Sequence, residues 1–305
     1  MSLCGSAEDL GRQQAEFILH NPTRANTSFL RRMKRAEREA GRSLYKALGV
    51  WNANLLAEAG SLAEALGVHV YSVLGTWTPS HRVERAGCTM LGVRGRDGCI
   101  AGRNFDLGFS GSDIRLIRCT PDSGIGSTGC GGWLGRYDGM NKAGLVAAMA
   151  VVEPPSRQQP EECSLPPSLV IRTLLDNART TADAITVISD MGYWASVNYL
   201  LADAAGDVAI VESAPSRTSI RSSAGTVVAT NHFQLAATAR RDSLNRYDLA
   251  LSEAGQHLTC ALQMKQLLDQ LGHPRLTRWQ IVFMPSKKTL LFSGGYRASL
   301  LLMRV

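Results

Sequence analysis

The sequence predicts an α+β protein in two parts, and three observations carry that prediction. Residues 7 to 70 hold mostly helical apolar spacing. From residue 87 onward, short apolar and β-branched runs alternate with glycine-containing turns, and helical patterns intervene near 168–191 and 242–271. No internal repeat or low-complexity linker interrupts the later part. A helical segment over 1–87 followed by one domain over 88–305 is therefore expected.

Ala7 to Leu19 places Leu10, Ala15, Phe17, Ile18 and Leu19 in an amphipathic pattern that Asn21-Pro22 stops. Thr27 to Leu48 reads as a second helix, with Phe29, Leu30, Met33 and Ala36 on one stripe. Its other face carries the basic run from Arg31 to Arg38. That run has two readings, a contact for nucleic acid or an acidic carrier, and a solvated face on which Glu37 and Glu39 pair locally. The second is favoured, because charge runs usually solvate. Residues 51–67 form a third helix, ended by Gly67. Val68 to Leu74 reads as a strand, and Gly75 to Ala86 as a loop.

Residues 87 to 106 are a hairpin. Thr89 to Val93 is a strand, Arg94 to Gly98 holds turn chemistry, and Cys99 to Phe105 returns. Gly102 marks a bulge or a close backbone approach. Ile114 to Cys119 alternates as a strand. The glycine-rich stretch 122–132 lacks the Lys-Ser/Thr pair of a phosphate loop and reads as a turn. Leu145 to Val152 is a buried strand. Pro154 to Pro167 is a polar loop. Ser168 to Asn177 and Thr181 to Met191 are helices, the second capped by Thr180 or Thr181 with Asp183 in its first turn. Strands follow at 196–202, 207–212, 217–221 and 226–230, helices at 242–255 and 259–271, and strands at 279–284, 289–293 and 296–304.

The 305 residues are 45% hydrophobic and 19% charged, an ordinary globular composition. No apolar run reaches the length of a membrane helix, and the N-terminus lacks a basic and apolar leader, so a cytoplasmic protein without a membrane partner is expected. The seven cysteines form no Cys-x-x-Cys pair, which argues against zinc and a disulfide framework. The net charge of +7 is too modest to argue for nucleic acid.

An antiparallel hairpin sets the start of its first strand beside the end of its second. Cys88 thereby meets Arg103 and Asp106. A guanidinium favours a thiolate, the nucleophilic form of cysteine. Cutting Gly87–Cys88 would create an α-amino group with a reference pKa of about 8, a general base for its own thiol. Asp106 would orient that amine. Gly87 has no side chain to obstruct attack on its carbonyl.

The hairpin Gly-Cys-Thr…Gly-Arg-Asn-Phe-Asp resembles the N-terminal-nucleophile cysteine hydrolases. So do Tyr-Asp-Gly-Met-Asn-Lys-Ala-Gly-Leu at 137–145, Ala-Thr-Asn-His at 229–232, and Arg246. The resemblance is to the choloylglycine hydrolase and penicillin acylase superfamily, in its acyl-coenzyme A:6-aminopenicillanic acid acyltransferase branch. It implies a four-layer αββα sandwich and self-cleavage at Gly87–Cys88, with the 1–87 fragment retained as a subunit. It implies Cys88 as nucleophile, Asn231 as an oxyanion donor and Arg246 as a supporting arginine. A second, backbone donor would fall near Val151 if the strand keeps the family's register. The implied activity is hydrolysis of a linear amide or transfer of its acyl group, on a small-molecule amide or thioester, with no metal or organic cofactor. Taken alone, Asn231 is equally a turn residue, and Asn141 reads as a cap or turn. His232 invites a Cys–His dyad, disfavoured because the family's base is the α-amino group. Two alternatives stay open, an acyl-CoA-dependent N-acyltransferase and an uncleaved binding protein with a basic N-terminal helix; among partners, a second copy of the chain in a homo-oligomer is left open as well.

Overall fold

A computed structural model describes residues 1–22, 34–77, 87–95, 98–106, 115–152, 159–214, 217–234 and 239–305, without the side chains of 255–257. The N-terminal part holds strand β1 (Ser2–Gly5) and helices α1 (Ala7–His20), α2 (Arg35–Trp51), α3 (Ala53–Ala65) and α4 (Val70–Leu74). The hairpin follows as β2 (Thr89–Gly95) and β3 (Gly98–Asp106), then β4 (Arg115–Pro121), β5 (Ser127–Gly131), β6 (Asp138–Asn141) and β7 (Val146–Val151). Helices α5 (Pro167–Asn177) and α6 (Thr181–Met191) lead to β8 (Val197–Ala202), β9 (Val208–Ala214), β10 (Arg217–Ser222) and β11 (Thr226–Ala229). Helices α7 (Arg241–His257) and α8 (Ala261–Leu271) precede β12 (Thr277–Met284), β13 (Thr289–Ser293) and β14 (Leu300–Arg304).

Two sheets stack. One has the order β1-β4-β5-β6-β7-β8-β9-β10, the other β11-β2-β3-β12-β13-β14. Their strands alternate, so each sheet is apolar on both faces. Met90, Ala148, Ile281 and Phe283 point into the layer between the sheets. Their neighbours Leu91 and Val282 point outward onto Met264 and Leu268 of α8 and Ala250 of α7. Ala147 turns the other way, onto Leu55 and Leu62 of α3 and Leu169 and Leu174 of α5. The result is the four-layer αββα sandwich the sequence resemblance implies. Gly102 is the close approach expected: a Cβ there would lie 2.5 Å from the Met264 sulfur.

Three local expectations fail. Val68 to Leu74 is not a strand. It forms α4, whose first turn is held by the His69 side chain accepting the Tyr71 N–H, so a cap and helix packing override its β-branched composition. The glycine-rich turn at 122–132 contains a fully buried strand, β5. Its glycines admit neighbours: a Cβ at Gly129 would lie 2.1 Å from the Asp138 carbonyl oxygen. The N-terminal segment also supplies a strand, since β1 pairs in parallel with β4, Ser2 opposite Arg118.

The helices of the first 77 residues sit on a buried polar network. Glu58 of α3 pairs with Arg172 of α5 at 2.7 Å, and Arg172 also holds Asp176 at 2.9 Å. Asn52 donates to Asp176, and Gln14 of α1 accepts the N–H of Leu134. In the described part of the basic run, Arg35 pairs with Glu39 on an exposed face; Arg31, Arg32 and Met33 lie outside the described residues.

Candidate active site

The hairpin register puts Thr89 opposite Asn104, which sets Gly87 opposite Asp106. The Gly87 N–H donates to the Asp106 carbonyl at 3.0 Å. Cys88 is buried at the mouth of β2. Its sulfur lies 3.8 Å from Arg103 Nη2 and 4.0 Å from the Asp106 carbonyl oxygen. The hairpin thus brings Cys88, Arg103 and Asp106 together, as the sequence predicts.

Asn231 and Arg246 arrive from elsewhere in the fold. Asn231 follows β11, which pairs with β2. Arg246 lies one turn into α7. Its Nη1 donates to the carbonyl oxygens of Gly87, at 2.8 Å, and Cys88, and to Thr89 Oγ1. Its Nη2 donates to Asn231 Oδ1 at 3.1 Å. The Asn231 amide nitrogen donates to the Val151 carbonyl at 2.8 Å. That amide carries two hydrogens, so one donor remains for another acceptor. Arg246 therefore ties both sides of the Gly87–Cys88 bond to the candidate oxyanion donor.

Asp106 is 1% exposed, and burial pushes its carboxyl up to about 6. The Thr277 hydroxyl, which donates to Asp106 Oδ1 at 2.6 Å, and the charges of Arg246 and Arg103 oppose that rise. Burial also pulls Arg246 below the ordinary arginine value, against the attraction of Cys88 and Asp106.

Sequence reasoning missed the residues that hold Arg103. Its Nη1 pairs with Asp138 at 2.9 Å and donates to the Tyr137 carbonyl. Asp138 also accepts the Trp279 indole N–H at 2.8 Å and the Cys130 N–H at 3.1 Å. The Arg103 guanidinium lies over the Phe105 ring, which stacks on Trp279 at 3.9 Å. Asp138 stands in the Tyr-Asp-Gly-Met-Asn motif, a signal that was visible but carried no role. Thr277 has no such signal.

The bland readings of Asn141 and His232 fit their contacts. Asn141 accepts the N–H groups of Ala143 and Leu145 and donates to the carbonyls of Leu175 and Ala178. His232 Nδ1 lies within hydrogen-bond reach of Thr230 and Ser243, and its Nε2 of Gln234. Burial pulls its pKa down, toward the neutral ring. The Ser243 hydroxyl accepts the Asn231 N–H, so this cluster braces Asn231. Among the described residues no group of three or more His, Cys, Asp or Glu is arranged to hold a metal ion, and all seven cysteines are free.

The stacked sheets with outer helices and a cysteine at the hairpin mouth define a chain of the N-terminal-nucleophile hydrolase fold. It belongs to the acyl-coenzyme A:6-aminopenicillanic acid acyl-transferase family, whose profile matches residues 93–297. That match begins five residues after Cys88. Solved structures agree on the fold. Penicillin V acylase from Agrobacterium tumefaciens is 18% identical with a TM-score of 0.53, over 72% of this chain and 86% of its own. A conjugated bile acid hydrolase variant from Clostridium perfringens is 14% identical with a TM-score of 0.56, over 71% and 92%. The Caenorhabditis elegans ortholog of N-acylethanolamine-hydrolyzing acid amidase is 14% identical with a TM-score of 0.54, over 71% and 99%. No curated protein sequence matches this chain. No described helix is long and apolar enough to cross a membrane.

Proposed function

We propose that this chain is a self-processing cysteine enzyme that cuts its own Gly87–Cys88 bond and then acts on a linear amide through an acyl-enzyme. The observation that carries this reading is the Arg246 hydrogen bond to the Gly87 carbonyl oxygen, 2.8 Å long, beside a buried cysteine. A cation on that oxygen polarises the one carbonyl whose attack would free Cys88 as a terminus.

The Cys88 sulfur attacks the Gly87 carbonyl carbon, and Arg246 takes the developing oxyanion. The C–N bond breaks, the thiol proton passes to the leaving nitrogen, and a thioester remains. Water cleaves the thioester and releases a Gly87 carboxylate. In turnover the new α-amino group takes the thiol proton, and Asp106 orients that amine. Arg103 stabilises negative charge on sulfur, and Asp138 holds Arg103 in place. Asn231 donates its remaining N–H to the substrate oxyanion. The 1–87 fragment stays bound, because it supplies β1 and the Glu58 partner of buried Arg172.

Intact mass under denaturing conditions tests this. Two fragments, the larger starting at Cys88, are expected, and Cys88→Ala is expected to stay whole and inactive. A wild-type chain that remains single for days would overturn the reading. An amine acceptor in place of water would make the enzyme an N-acyltransferase. That second reading draws on the family's description, and acyl-amine product in the presence of added amine is its test.

A further inference from the structure

Asn231 belongs to a segment, 230–232, that leaves the end of β11 in the six-stranded sheet. The eight-stranded sheet grips that segment. Asn198 of β8 is fully buried, and its side-chain nitrogen donates to the carbonyl oxygens of Thr230 and His232, each at 2.9 Å. An amide nitrogen carries two hydrogens, so both are spent on the carbonyls that flank Asn231. Asn198 stands opposite Ala150 of β7 on one side and Glu212 of β9 on the other, so two ladders fix its backbone. The same row of strands supplies two further holds. Glu212 accepts the Gln234 N–H at 3.2 Å, and the carbonyl of Val151, next to Ala150, accepts the Asn231 side chain.

Packing does not call for an amide at this place. Asn198 shares its face of β8 with Leu200 and Ala202, which lie in the apolar layer between the sheets. Its Oδ1 is buried without a hydrogen-bond partner among the described residues. A leucine would leave no such orphan, and an unpaired buried polar atom is costly. What the amide supplies is direction. Arg246 holds the Asn231 side-chain oxygen, and Val151 takes one amide hydrogen. The amide is planar, so these two contacts aim the remaining hydrogen as long as the backbone beneath stays in place. Ser243 holds the Asn231 N–H, and Asn198 holds the carbonyl on each side. Misplacing a catalytic group by about 1 Å can cost about 10²-fold in rate.

We infer that Asn198 is a positioning residue for turnover, acting through Asn231 by fixing the backbone that carries it. This rests on the proposed role of Asn231 as oxyanion donor and adds to it the residue that aims the donor.

The test is a double-mutant cycle in the self-processed protein, with p-nitrophenyl acetate as acyl donor and the rate of Cys88→Ala subtracted. Asn198→Leu removes both donors and keeps the place filled. Asn198→Ala, which cannot overpack, is made beside it. Self-cleavage in an intact-mass time course reports that each variant folds. In the wild-type background kcat is expected to fall about 10²-fold with KM unchanged, because the oxyanion forms in acylation and deacylation alike. In the Asn231→Ala background the same change is expected to cost less than about twofold, because the group being aimed is gone. An equal fold-loss in both backgrounds, or no loss in the first, overturns the inference and leaves the acyl-enzyme reading standing. So does failure of both variants to yield processed chain, which would make Asn198 a folding residue only. Wild-type turnover by Asn231→Ala overturns the oxyanion assignment, and a processed wild type no faster than Cys88→Ala overturns the acyl-enzyme; the inference falls with either.

Discussion

Arg246 on α7 reaches back 159 residues to donate a hydrogen bond to the carbonyl oxygen of Gly87. The same guanidinium holds the side-chain oxygen of Asn231. One arginine thus links the bond proposed for self-cleavage to the amide proposed for turnover.

Arg246→Met should separate these roles. Removing a preorganised oxyanion donor costs about 10²–10³ in rate. Self-cleavage is expected to slow by that factor, followed by the fraction of whole chain in a mass time course. Cleavage at the wild-type rate would remove Arg246 from the processing step.

Asn231→Ala should do the converse. Turnover of an amide per processed chain is expected to fall about 10²–10³-fold, while self-cleavage continues at a rate close to wild type. Slowed self-cleavage with unchanged turnover per processed chain would reverse the assignment.

The pH profile should report Asp106. Its carboxyl sits at about 6, raised chiefly by burial. In the proposed processed enzyme the ionised form would orient the amine, whose positive charge lowers the carboxyl from that value, so kcat/KM is expected to fall as pH drops through an acid limb at or below about 6. Thr277 stabilises that ionised form through its hydroxyl. Thr277→Val therefore raises the Asp106 pKa and moves the acid limb to higher pH, with little change on the plateau. An acid limb that stays in place would exclude Asp106 as its source.

Glu58→Gln should loosen the N-terminal fragment. Glu58 and Arg172 form a buried pair, and removing one partner of such a pair costs about 3–5 kcal/mol. Asp176 remains beside Arg172, so the lower end is expected. The urea midpoint of the whole chain reads this loss, and the processed form should release its 1–87 fragment at lower urea than wild type. An unchanged midpoint would mean that β1 and the apolar contacts alone hold the segment.

The sequence by itself determined the hairpin, and through it the meeting of Cys88, Arg103 and Asp106. Strand alternation and turn chemistry are local, and a hairpin converts sequence separation into contact without help from the rest of the chain. The same locality made α1, α3, α5, α6 and α8 legible from apolar spacing and caps, and Gly102 legible as a close approach. Val70–Leu74 failed because a β-branched run of that length has no decisive local signal, and its packing chose the helix. Only the tertiary structure decided what surrounds the hairpin. Asp138 on β6 and Trp279 on β12 hold Arg103, Thr277 holds Asp106, and α7 aims Arg246 at Gly87. These groups come from strands and helices far along the chain, 159 residues away for Arg246 and Gly87 and 171 for Thr277 and Asp106. Their positions follow from which sheets stack and which helices cover them, and no local pattern encodes that choice.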